Sequence, residues 1–166
     1  MDVDIFFFLN QFAGLDSRVD QVIYFLAVYA IFIFPLFLIG LRAWRATLFK
    51  GIYALCIAYL ANALIALAWY RERPFRDLDA HVGVDTSTLF DSFPSDHAAL
   101  AASAAVIILF ASRRRGIAAA ALAVCIAVSR IVVGVHYPSD VMAGIGIGIL
   151  SAVLVEHYIS KKNHNV

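Results

Sequence analysis

The sequence predicts an all-α polytopic membrane helix bundle, with about five transmembrane helices and an N-terminal interfacial helix. Three observations carry this. Hydrophobic residues make up 63% of the 166-residue chain, well above the ~45–50% of a soluble domain. They fall in long blocks rather than in an amphipathic rhythm, and the basic residues collect between alternate blocks. The length suits one compact domain, 1–166, and no linker, low-complexity tract or second domain interrupts it.

Ile5, Phe8, Leu9, Phe12 and Leu15 recur at helical spacing, so residues 4–15 read as a short helix lying in the interface. Asp2 and Asp4 stand where a secretory signal would carry positive charge, which argues against one. Asp16 or Ser17 is placed to cap the next helix, with Asp20 in its first turn. A bilayer crossing takes about 20 mostly apolar residues. Blocks of that kind run from Val22 to Leu41, Gly51 to Tyr70, Ser95 to Ser112 and Gly116 to Val133, and from Ser139 or Asp140 to Ile159. Cys56 and Cys125 fall inside these blocks without metal-ligand spacing and read as small packing residues. Gly144 and Gly148 form a GxxxG spacing, which serves close helix packing or a homodimer contact.

Net charge, +1, says little, but its placement is informative. Five crossings put 42–50, 113–115 and the tail after 160 on one face. Those segments hold Arg42, Arg45, Lys50, Arg113, Arg114, Arg115, Lys161 and Lys162, eight of the thirteen basic residues. The positive-inside rule makes that face, and the C-terminus, cytoplasmic. Nothing in the charge pattern calls for a nucleic-acid partner.

The same threading gathers four polar clusters on the opposite face: Arg71 to Phe75 ("RERPF"), Phe93 to His97 ("FPSDH"), Ser129 with Arg130, and Gly134 to Asp140 ("GVHYPSD"). Charged groups at membrane depth are costly and are functional candidates by default. Arg73 and Arg130 offer permanently charged planar forks suited to phosphate oxygens. Ser95 opens a helix whose free N–H groups favour an anion. His97 and His136 can divide the labour between nucleophile and proton donor. Asp140, four residues after His136, can reach back to one imidazole nitrogen and fix its tautomer. His81, His157, His164, Arg18 and Arg76 lack such company and read as helix-end or snorkelling groups. The acidic residues of 75–93 (Asp77, Asp79, Asp85, Asp91) read as a solvated loop. A divalent metal held by the histidines is the rival, but two arginines beside a cation are electrostatically awkward, which favours a metal-free site.

Arg73-Pro74, then Pro94-Ser95-Asp96-His97, then Ser129-Arg130 followed by His136 and Asp140 resemble the three-part signature of the type 2 phosphatidic acid phosphatase superfamily. The resemblance implies a phosphatase that needs no metal or other cofactor. His136 would be the nucleophile, Asp140 would orient it, and His97 would serve as general acid and later base. Arg73, Ser95 and Arg130 would bind the phosphoryl oxygens. Two positions depart from the pattern. Ala66 stands where the family's first motif begins with Lys, leaving Arg71 as a candidate substitute; Asp96 stands where many members have Gly and is expected to turn aside and hold an arginine. "FPSDHA" with "RxRPF" is similar to the bacterial undecaprenyl-diphosphate phosphatases of the bacitracin-resistance type. That implies hydrolysis of undecaprenyl diphosphate to undecaprenyl phosphate and phosphate at the outer face of the plasma membrane, with isoprenyl or glycerolipid phosphates and membrane lipids as partners. The alternatives are a phosphatase of phosphatidylglycerol phosphate or phosphatidic acid, and a non-catalytic anion-binding or lipid-transport protein.

Overall fold

The computed structural model describes residues 1–84 and 91–164, the side chains of 160 and 162–164 excepted. It is all-helical in those residues: α1 (Asp2–Asn10), α2 (Ser17–Val28), a 3₁₀ segment (Ala30–Leu38), α3 (Trp44–Ala68), α4 (Pro74–Asp77), α5 (Asp96–Ala111), α6 (Arg113–Val132) and α7 (Pro138–His164). Asp85 and the side chains of Lys162 and His164 lie outside the described residues.

Among the described residues, three helices are long and apolar enough to cross a membrane: α3, α6 and the Pro138–Ile159 part of α7. Of the five expected spans, three meet that length and composition, or four if a broken pair counts as one. The first expected span is that pair, α2 and the 3₁₀ segment, which meet at 62°. Pro35 lies inside the second half, where it cannot donate to Ile31 and its ring crowds that carbonyl, so an α-helix is disfavoured there. The third, α5, has 16 residues and reaches about 24 Å at 1.5 Å per residue, short of the ~30 Å hydrocarbon core.

The shortness of α5 suits its place. It packs against α3, α6, α7 and the 3₁₀ segment, at the centre of the bundle. Ala98, Ala99, Ala101, Ala102 and Ala105 are buried on it, and small side chains let backbones approach closely. On α7 a Cβ at Gly144 would stand 2.4 Å from the Ser95 carbonyl oxygen, and one at Gly148 would stand 2.1 Å from that of Ala99. The GxxxG face is thus filled by α5 of the same chain, the close helix packing that the spacing offered. Cys56 and Cys125 are exposed on the outside of the bundle and do not pack within it.

α3 runs antiparallel to α5 and α7: Lys50 pairs with Glu156 at 2.8 Å near one end, and Asn62 bonds Asp96 at 2.9 Å near the other. α1 begins and ends earlier than expected and is docked, burying Phe6 against Tyr137 and Asn10 against the carbonyls of His81 and Val132. The Asp16 side chain caps α2 through the N–H groups of Arg18 and Val19.

Candidate active site

The helix ends that carry the four polar clusters meet at one end of the bundle. Arg73 precedes α4 in extended conformation, with Pro74 at the first helical position, where its missing N–H costs nothing. Ser95 precedes α5, and its N–H donates to the Asp140 carbonyl at 3.1 Å, joining the starts of α5 and α7. Gly134 (φ +82°) turns the chain out of α6; a Cβ there would lie 2.3 Å from the His81 carbonyl oxygen. The turn delivers His136 to the interior, 3% exposed.

The imidazole geometry sets its chemistry. Nδ1 lies 2.8 Å from the Ser92 carbonyl oxygen, which can only accept, so Nδ1 carries the proton and the neutral ring keeps its lone pair on Nε2. Arg73 Nη1 lies 3.3 Å from Nε2 and donates to the Val135 carbonyl at 2.9 Å. Burial first, then the charges of Arg130 and Arg73, holds the His136 pKa well below the ordinary imidazole value; the Ser92 hydrogen bond opposes them. The ring is neutral at neutral pH, as a nucleophile must be.

Asp140 is fully buried beside it, but the direct hydrogen bond expected between them is not made. The carboxylate lies 3.9 Å from Nδ1. Its Oδ2 accepts from the Ser92 hydroxyl at 2.6 Å and the Tyr137 N–H at 2.8 Å, and its Oδ1 from Arg71 at 2.6 Å. Ser92 therefore stands between acid and imidazole, hydroxyl to one and carbonyl to the other. At 3.9 Å the carboxylate still favours positive charge on the ring.

A cavity of ≈ 520 Å³ opens on this group, lined by Arg73, Arg130, His136, His97, Asp96 and Asp91 together with Asn62, Ala66, Pro94 and the aliphatic wall of α3. Arg130 is anchored to the Ala27 carbonyl at 2.8 Å. The Nε groups of Arg73 and Arg130 and the hydroxyl of Ser95 are buried without a hydrogen-bond partner among the described residues. Buried donors of this kind are seldom left unpaired, and with the first-turn N–H groups of α5 they form a donor-rich end suited to an anion.

Three expectations change here. Ala66 lines the cavity, whereas Arg71 does not: its guanidinium bonds Asp140, Asp2 and Ser139 and stacks 4.0 Å over the Tyr137 ring. Asp96 makes no ion pair with an arginine among the described residues; Asn62 donates to it. Asp91 is not a solvated loop residue, because its carboxylate accepts from the N–H groups of Arg71 and Phe93 and borders the cavity. Sequence reasoning passed over Asn62, Ser92 and Asp2. Asn62 alone left a signal, as an amide inside an otherwise apolar block.

Comparison with known proteins supplies the deciding observation. Residues 47–164 match the family model "PAP2 superfamily". The chain belongs to that superfamily. It is 31% identical over 160 residues to the bacitracin transport permease protein BcrC of Bacillus licheniformis, covering 93% of this chain and 79% of the relative. It is 28% identical over 160 residues to the undecaprenyl-diphosphatase BcrC of Bacillus subtilis, covering 93% and 82%. The fold matches the crystal structure of Aquifex aeolicus LpxE with a TM-score of 0.79 at 23% identity, over 94% of both chains. It also matches a PAP2-type phosphatidylglycerolphosphate phosphatase from Bacillus subtilis with a TM-score of 0.71 at 24% identity, over 96% of this chain and 85% of that one. The protein is an integral membrane phosphatase of the PAP2 superfamily, related to the bacitracin-resistance type, with a His136–Asp140 pair positioned for catalysis.

Proposed function

We propose that this phosphatase removes the terminal phosphate of undecaprenyl diphosphate through a phosphohistidine on His136. The carrying observation is the unprotonated Nε2 of His136, held against Arg73 in a cavity that adjoins an apolar one. Nε2 forms a bond to the terminal phosphorus while the bond to the bridging oxygen breaks, and His97 gives that oxygen its proton. Arg73, Arg130, Ser95 and the start of α5 hold the equatorial oxygens, where charge accumulates. Asp140, through Ser92 and its own charge, steadies the imidazolium. Water, losing a proton to His97, then takes the phosphoryl group from Nε2 and phosphate departs.

The adjoining apolar cavity, ≈ 550 Å³, runs between α3, α5 and the 3₁₀ segment and shares Tyr59, Asp96 and His97 with the polar one. It offers the first part of an isoprenyl tail a route from lipid to the leaving oxygen. The curated name of the Bacillus subtilis relative supports the diphosphate as substrate. Five crossings, with α2 and the 3₁₀ segment as one and α5 as a short one, put this end on the periplasmic or extracellular face and the basic segments and C-terminus in the cytoplasm.

A second reading, a lipid monophosphate substrate, has support from the lipid A 1-phosphatase of Rhizobium etli, 43% identical over 116 residues, or 66% of this chain and 46% of that one. Phosphate release by the purified protein in detergent with excess chelator, with undecaprenyl diphosphate competing against lipid monophosphates, tests both. Chelator-resistant release with preference for the diphosphate is expected; preference for a monophosphate selects the second reading, and release abolished by the chelator overturns the metal-free route.

A further inference from the structure

Asp2 and Arg71 stand outside the cavity, yet both are bound to the machinery that holds the nucleophile. Arg71 spreads its fork between two carboxylates, Nη1 on Asp140 at 2.6 Å and Nη2 on Asp2 at 2.8 Å. Asp2 in turn accepts from both polar groups of Ser139, the N–H at 3.0 Å and the hydroxyl at 2.6 Å. This ties α1 to the first turn of α7, one residue before Asp140. From there the contacts run inward, Asp140 to the Ser92 hydroxyl at 2.6 Å and the Ser92 carbonyl to His136 Nδ1 at 2.8 Å.

We propose that Asp2 and Arg71 are positioning residues: a clamp from the N-terminal helix that fixes Asp140 and Ser92, and through them the tautomer and aim of His136. The proposal rests on His136 as nucleophile. A fully buried carboxylate needs a charge partner, and Arg71, about a third exposed, is that partner. An arginine on a flexible stem holds one direction only if its far side is also engaged, which Asp2 and the Tyr137 ring, 4.0 Å below it, provide. The charge states agree with this. Burial pushes the Asp2 carboxyl up, and hydrogen bonds from Ser139 and Arg71 outweigh it, leaving it below its ordinary value. Burial likewise lowers Arg71, and the two carboxylates outweigh it, leaving it raised.

The test uses the full chain in detergent with undecaprenyl diphosphate. Asp2→Asn is expected to lower kcat about tenfold with KM within about twofold, because aim rather than phosphate binding is lost. Asp2→Glu should recover most of that loss, and Asp2→Asn/Arg71→Gln should be no slower than Arg71→Gln alone. Asp4→Asn, exposed and outside the network, should match wild type. Imidazole ¹⁵N shifts of His136 supply a readout that needs no substrate: one Nδ1–H tautomer in wild type, a mixture in Asp2→Asn. Should wild type fail to turn over this lipid, the substrate reading fails, and the shifts alone decide the clamp. Wild-type kcat in Asp2→Asn, a raised KM with kcat intact, an unchanged tautomer, or a kcat loss that Asn10→Ala reproduces in step with its melting temperature would each overturn it.

Discussion

Arg71 and Arg73 lie two residues apart and do opposite things with the same charge. Arg71 is committed: two carboxylates, a serine and an aromatic face take its fork. Among the described residues Arg73 makes no ion pair and its Nε has no partner; one arm reaches a backbone carbonyl and His136. A guanidinium held in ion pairs by the chain holds structure together, whereas one without an ion pair at a buried cavity is available to a phosphate. The same division separates Asp140, fully engaged, from Arg73 and Arg130, neither of which makes an ion pair with a carboxylate among the described residues.

The contrast breaks most visibly by truncation. Arg73→Ala and Arg130→Ala should each lower kcat/KM by about 10²–10³-fold, or about 2.7–4 kcal/mol of transition-state stabilisation. Arg71→Gln should leave KM near wild type. Steady-state kinetics on the three variants checks this, and equal KM effects at positions 71 and 73 would erase the distinction.

Ser92→Ala sharpens the contrast at the junction between the two groups. It removes the hydroxyl that bonds Asp140 but keeps the carbonyl that holds His136. About 1–3 kcal/mol of stability should be lost, read by denaturation in detergent, with kcat reduced and the His136 tautomer mixed as in Asp2→Asn.

The frame itself can be tested on α7. Gly148→Ala should destabilise by about 1–3 kcal/mol through overpacking against α5, while Gly146→Ala, with nothing within 4 Å of its new methyl, should be neutral or stabilising. Melting temperatures of the two variants decide it; equal shifts would contradict the close approach of α5 and α7.

Smallest is a pH effect. Because the folded pKa of His136 is depressed, the unfolded chain binds the extra proton below about 6.5. The contribution to stability is therefore complete above that pH and falls as pH drops through it toward the folded value, by at most about 1.4 kcal/mol per pH unit. His136→Asn should flatten the decline in melting temperature between pH 7 and pH 5; an unchanged slope would show that the ring titrates alike in both states.

Four residues that reach the cavity, and Asp140 behind them, were legible because charge at membrane depth has few uses: Arg73, His97, Arg130, His136 and Asp140 all announced themselves against apolar blocks. What escaped was the support. Ser92 and Asp2 act on residues 48 and 137 positions away, and a lone serine or a near-terminal aspartate carries no local sign of such a partner. Arg71 had the right charge for a phosphate, but only the docking of α1 reveals that Asp2 claims it. The helical blocks were legible from hydropathy, while the break at Tyr29 was not, since Pro35 lies six residues beyond it and marks only the second half. Asn62 sits between these cases, visible as an amide among aliphatics but without a named partner until α3 meets Asp96.

The central claim is that His136 Nε2 takes the phosphoryl group. Turnover of undecaprenyl diphosphate labelled in its terminal phosphate, quenched under alkaline conditions within the first cycle, tests it directly. Acid-labile label on the peptide containing His136, absent in His136→Ala together with phosphate release, is the expected result. Release that proceeds in His136→Ala, or label found on His97 instead, would contradict it.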